Sequence, residues 1–278
     1  MSTLVNVPNR KEGAMKRYSV FLYGAAAYLL FLAVFLYAIG FIGNFGVPKS
    51  LDSPAEVSWE KALAVDLGLL LLFALQHSVM ARRGFKRFLT RLIPASAERS
   101  TYVVASSLAL AFLYWKWEPL GGTVWRVETP AARALLYAAF ACGWLLVLAA
   151  TFAINHFDLF GLRQVWTQLR ARRHTAVRVS TPILYRIVRH PLYLGWLFVF
   201  WSTSEMTVSH LFFAAMTTAY ILVAIRFEEA DLMREHPEYS VYRTQVPMLL
   251  PRLTGPIRSG GAGPNTPATL PAKSSSSR

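Results

Sequence analysis

Long apolar runs separated by short charged segments set the pattern of this chain. Residues 18–42 form a run of 25, and further runs cover about 62–80, 101–115 and 133–154. A helix needs roughly 20 apolar residues to cross about 30 Å of hydrocarbon, so the pattern predicts four spanning helices. The first run is too long for the core of a secretory signal peptide and no small-residue cleavage pattern after it is convincing, so it reads as a retained anchor. The apolar piece from Leu192 to Trp201 has only ten residues, too few to span alone, and Ser202-Thr203-Ser204-Glu205 separates it from a longer run at 206–225. Together they predict a helical hairpin with one short or tilted arm. Residues 226–252 return to mixed charge and read as one or two short helices broken at Pro237. Gly, Pro and Ser dominate beyond, which predicts a disordered tail at 253–278.

The expected class is all-α: a polytopic integral-membrane bundle of four spanning helices plus a C-terminal helical hairpin and short cytosolic helices. Its expected divisions are an N-terminal tail at 1–17, a membrane domain at 18–252, and the tail at 253–278.

Composition agrees, with 54% hydrophobic residues and a positive mean hydropathy. The formal net charge of +14 would suit a nucleic-acid binder, but its distribution does not. Of the 29 Lys and Arg residues, 24 fall in the N-terminal tail, the second and fourth loops and the C-terminal region. By the positive-inside rule this bias puts both termini in the cytoplasm. The charge then reads as a topology signal and an attraction to anionic lipid head groups. Trp115 and Trp117, at the end of the third run, read as interfacial anchors. One cysteine, Cys142, excludes a disulfide framework, and six scattered histidines lack zinc-site spacing, so no metal is expected.

Polar groups inside or beside the runs carry the candidate chemistry, because exposing them to lipid is costly. Asp66 and His77 lie eleven residues apart on one helical face. Asp66 is expected near the outer surface, while His77, within Gln76-His77-Ser78, is either an end cap or a functional base. The fourth run ends in Asn155-His156-Phe157-Asp158, a dense polar knot for an interface. Farther on, Glu229 shares a stripe with Leu222, Ile225 and Leu232, whereas Glu228 falls with Asp231 and Glu235 on a more polar one. Glu229 and Arg226 are spaced i, i+3, which makes either a buried ion pair or a ligand contact. In Arg189-His190-Pro191 the proline suits the first turn of a helix whose amides favour an anion. Gly195 signals close approach by another helix or a ligand, and Tyr239 and Tyr242 offer an aromatic wall. No dinucleotide loop, Walker motif, nucleophile elbow or H-E-x-x-H is present.

The combination of R-H-P-x-Y-x-G at 189–195, R-x-E-E-x-x-L at 226–232 and the Tyr239/Tyr242 pair resembles the C-terminal core of the isoprenylcysteine carboxyl methyltransferase-like family. The Gln76-His77-Ser78 and 155–164 segments look like those of its thiol-methylating and denitrification-associated branch. The resemblance implies S-adenosylmethionine bound within about 185–252 by Arg189, His190, Tyr193 and Gly195, with Arg226, Glu228, Glu229, Tyr239 and Tyr242 closing the site. It further implies S-methylation of a small thiol, methanethiol to dimethyl sulfide. The thiolate is the nucleophile, so a base should help, and His77, His156 and Asp158 are the candidates. An isoprenylcysteine or phospholipid acceptor, an NADPH-dependent sterol-reductase-like enzyme and a non-catalytic membrane protein stay open as alternatives.

Overall fold

A computed structural model describes residues 10–172 and 183–251, with side chains from Met15 onward. Most of the expected N-terminal tail, part of the arginine-rich segment before His190 and the tail from residue 252 onward lie outside the described residues. The elements are almost all helical: α1 (Arg10–Gly43), α2 (Trp59–Ala81), α3 (Arg83–Leu92), α4 (Glu98–Lys116), α5 (Pro130–Ile154), α6 (His156–Leu159) and α7 (Leu162–Leu169). After the undescribed stretch come α8 (Ile183–Ile187), α9 (Pro191–Trp201), α10 (Val208–Glu235) and α11 (Tyr239–Gln245). Two short strands, β1 (Thr123–Arg126) and β2 (Glu205–Thr207), pair antiparallel. The protein is thus an all-α polytopic membrane bundle.

Among the described residues, four helices are long and apolar enough to cross a bilayer: α1, α2, α5 and α10. The membership differs from the expected set. The third run does form a helix, α4, but Glu98, Arg99 and Lys116 at its ends and Ser100, Ser106 and Ser107 within it keep it out of this group. The fourth long helix is instead the second arm of the C-terminal hairpin. A second correction follows, since α10 does not stop where charge begins at Arg226 but continues unbroken to Glu235. Charge alone does not end a helix; Pro237, which cannot continue one, does.

The described residues fold as two compact units, 10–37, 71–115 and 157–172 in the first and 38–70, 116–156 and 183–251 in the second. In the first, α7 docks through Val165, which is fully buried with Val20 and Ala97. Gly24 makes this possible, because a Cβ there would come within 2.6 Å of the Val165 side chain. Phe31 stacks on Phe160 at 3.8 Å and Tyr37 on Tyr114 at 5.5 Å.

In the second unit α9 lies against α5 with backbones in near contact. A Cβ on Gly195 would meet the Val147 amide nitrogen at 2.8 Å, and one on Gly143 would meet the Val199 nitrogen at 2.9 Å. The two glycines face each other and form the close approach that small residues permit in membranes. Trp117 is not an interfacial anchor: it is fully buried among Phe41, Phe212 and Phe213, and its indole N–H donates to Ser209 Oγ at 3.1 Å. Trp115, in contrast, is exposed. Asp66 is buried inside the protein, and its Oδ1 accepts the Glu118 backbone N–H at 2.9 Å. Asp52 ties its loop to α10 by accepting from Thr207 Oγ1 at 2.5 Å and lying 3.2 Å from His210 Nδ1.

Candidate active site

The second unit gathers the C-terminal polar residues around one carboxylate. Pro191 opens α9 at its first position, where its missing N–H costs nothing, and this leaves Arg189 and His190 just ahead of the helix. Their backbone amides donate to the carbonyls of Pro247 and Met248, at 2.9 and 3.2 Å, so the segment after α11 holds the pair from outside. From α10, Glu229 projects its buried side chain to meet them. Arg189 Nε donates to Glu229 Oε1 at 2.8 Å, and His190 Nε2 lies 3.0 Å from the same oxygen. Tyr239 donates to it at 3.4 Å, and Arg243 Nε lies 3.2 Å from Oε2. The Arg189 guanidinium also donates to the carbonyls of Arg243 and Val246, both at 2.7 Å, and so pins α11 and the segment that leaves it.

The edge of this knot is less enclosed. Glu228 is half-buried, and its Oε2 accepts the Tyr193 hydroxyl at 3.1 Å. Tyr242 donates to the Tyr185 carbonyl at 2.5 Å, and its ring lies 5.5 Å from that of Tyr239. Burial pushes the Tyr242 phenol up to about 12 and raises Tyr239 and Tyr185 as well, so all three stay protonated and act as donors at neutral pH.

His156 also belongs to the second unit, directly after α5. Its Nδ1 lies 2.9 Å from Thr151 Oγ1, and that hydroxyl donates its own proton to the Leu148 carbonyl at 2.7 Å. With its proton on that carbonyl, Thr151 accepts from Nδ1–H, the arrangement that puts the lone pair on Nε2. Phe152 stacks on the ring at 4.4 Å, and burial lowers the imidazole below its ordinary value. The side chain is a buried imidazole set between Thr151 and Phe152.

In the first unit His77 sits near the end of α2, with the Tyr102 hydroxyl of α4 2.8 Å from Nε2 and Ser106 Oγ 3.3 Å from Nδ1. Its ring lies over Phe73 at 5.2 Å. Asp158 pairs with Arg163 at 3.7 Å, and its carbonyl accepts from Gln164 at 2.9 Å.

Of the residues singled out in the sequence, Arg189, His190, Glu229 and Tyr239 converge directly, with Tyr193, Glu228 and Tyr242 at their edge. Gly195 is occupied by α5, so helix packing explains it. Arg226 is exposed on α10, and the cations that Glu229 meets are Arg189 and Arg243, which corrects the expected i, i+3 pair. Sequence reasoning missed Arg243, although it stands one helical turn after Tyr239 on the same face of α11. It also missed Tyr102 and Ser106, whose run gave no signal beyond apolarity.

Comparison with known proteins decides the family. The chain is 54% identical over 238 residues to a methanethiol S-methyltransferase of Crocosphaera subtropica, covering 85% of this chain and 93% of that one. Likewise, it is 51% identical to one from Mycobacterium tuberculosis, covering 85% of this chain and 98% of the other. The chain belongs to the methanethiol S-methyltransferase family. The chain also has a more distant likeness to Nurim of Sus scrofa, 30% identical over 67% of this chain and 78% of that protein. No family model matches the chain, and no solved structure is similar to it. As a member of the methanethiol S-methyltransferase family it is a methyltransferase, and its site must accommodate a methyl donor.

Proposed function

We propose that the chain methylates methanethiol at sulfur to give dimethyl sulfide, with S-adenosylmethionine as the donor held by the knot of 185–252. The observation that carries this reading is the 3.0 Å contact between His190 and Glu229, which joins two segments 39 residues apart into one polar site. Relatives at about half identity bear the name of this reaction.

The residues suit a zwitterionic sulfonium donor. Bound S-adenosylmethionine would supply a methyl group carried on a positively charged sulfur. Glu228, with one oxygen on Tyr193 and its side chain half-exposed, would hold the donor's ammonium group. The first amides of α9 and the exposed Arg186 favour its carboxylate. Glu229 already meets two arginines, a histidine and a tyrosine, so its part is to fix Arg189, His190 and Tyr239 rather than to bind directly. Tyr185 lies near Glu228, and Tyr242, bonded to the Tyr185 carbonyl, sets its ring beside that of Tyr239.

His156 is the base this reading favours. His156 Nε2 would take the proton of the thiol S–H, and the resulting thiolate sulfur would accept the methyl group that bound S-adenosylmethionine supplies, the donor leaving as its neutral thioether. Opposite charges are consumed in that step, so a water-poor site favours it. Cytoplasmic termini and a bacterial inner-membrane location complete the reading, supported by the 24 of 29 basic residues in the loops assigned to that side. Purified protein given labelled S-adenosylmethionine and methanethiol should release labelled dimethyl sulfide into the headspace. NADPH binding with no such product would favour a reductase instead.

A further inference from the structure

We infer that the first unit carries a separate binding site for the phosphate head group of an anionic phospholipid. The site is a cleft of about 480 Å3, within the range of small-molecule sites (roughly 300–1,000 Å3). Lys16 and Arg17 of α1 line it with Arg91 of α3, so three cations border one cleft and, among the described residues, no acidic side chain does. Gln168 of α7 adds a donor, because its carbonyl oxygen is taken up by the Ser96 hydroxyl and the amide NH2 remains to donate. The first unit as a whole reinforces the field: its described side chains include eleven Lys and Arg against two acids, Glu98 and Asp158.

Three cations could serve a free phosphate or a lipid phosphate, and apolar features favour the lipid. Leu92, Ile93 and Pro94 form the remaining wall. Lys16 and Arg17 stand at the start of the apolar part of α1, which begins at Met15, the level at which head groups meet acyl chains. On α3, Phe88 and Leu92 are one helical turn apart and 55% and 69% exposed, while Arg83, Lys86, Arg87 and Arg91 carry its charge. Such a helix lies in the interfacial plane with its apolar face in lipid. A phosphodiester in the cleft would have its acyl chains continue along that face.

The test uses the full-length protein in neutral detergent, titrated with dioctanoyl phosphatidylglycerol and followed by native mass spectrometry. Dioctanoyl phosphatidylcholine and inorganic phosphate are the comparison probes. One saturable phosphatidylglycerol adduct is expected, and the variant Lys16→Ala/Arg17→Ala/Arg91→Ala should bind it on the order of a hundredfold more weakly, roughly fivefold per cation removed. The charge-matched variant Arg82→Ala/Arg83→Ala/Arg87→Ala, outside the cleft, should keep most of the affinity. An equal loss in both variants would reduce the site to diffuse attraction and overturn the proposal. So would equal binding of phosphatidylcholine, or inorganic phosphate binding as tightly as the lipid. If the triple variant fails to fold, Arg91→Ala alone must show the roughly fivefold loss, and an unchanged affinity there overturns the proposal.

Discussion

Glu228 and Glu229 are neighbours in sequence with opposite surroundings. Donors from Arg189, His190, Tyr239 and Arg243 converge on Glu229, whereas Glu228 is half-buried beside Tyr193. Removing one partner of a buried ion pair costs about 3–5 kcal/mol. Glu229→Ala should therefore lower the unfolding temperature in detergent clearly, whereas Glu228→Gln should leave it nearly unchanged and weaken S-adenosylmethionine binding in calorimetry. Helical spacing alone put Glu229 on the inward stripe, and it is buried. That spacing also suggested Arg226 as its partner, which failed because a tertiary partner, Arg189, approaches from the segment just ahead of α9. His156 carries a pH prediction. Burial holds its pKa below about 6.5, so the unfolded chain binds the proton more readily than the folded one. Stability from this residue is full above about 6.5 and declines as pH falls below it. In kcat/KM, the acid limb of the wild type should lie below about 6.5 and disappear in His156→Gln, together with most of the rate, since a general base contributes roughly 10²–10⁴-fold. An unchanged acid limb in that variant would remove His156 as the base.

Among the elements, the α5–α9 contact is the most exacting. Gly195→Val would drive a branched side chain into the backbone nitrogen of Val147, and overpacking of this kind costs about 1–3 kcal/mol. Thermal unfolding should show that loss, while Gly68→Ala on α2, where a Cβ meets nothing within 4 Å, should be neutral. Most helices were legible because a run of apolar residues both crosses lipid and satisfies its own backbone. The glycine signal at Gly195 was legible too, without revealing that Gly143 was its counterpart. Harder to read were β1 and β2, of four and three residues, which are too short to establish an alternating pattern. Trp117 misled because a tryptophan at the end of an apolar run looks alike whether it faces head groups or, as here, Phe41 and Phe213.

At the scale of the molecule, the charge pattern and the four long helices give the membrane reading, and relatives along most of the chain give the family. With Cys142 replaced, single cysteines introduced at Glu56 and Glu128 should be labelled by impermeant maleimide from the periplasmic side. One at Arg87 should react only after permeabilisation, and the reverse pattern would invert the proposed orientation. The unbroken course of α10 has a consequence of its own. One rigid rod carries both its apolar crossing segment and, farther along, the two adjacent acids, so the depth at which the rod floats sets the height of those acids. Bilayers whose acyl chains are too short or too long make such a rod tilt or shift. Turnover in reconstituted vesicles should thus peak at one chain length and fall on either side, which would make the thickness of the host membrane a control on this enzyme.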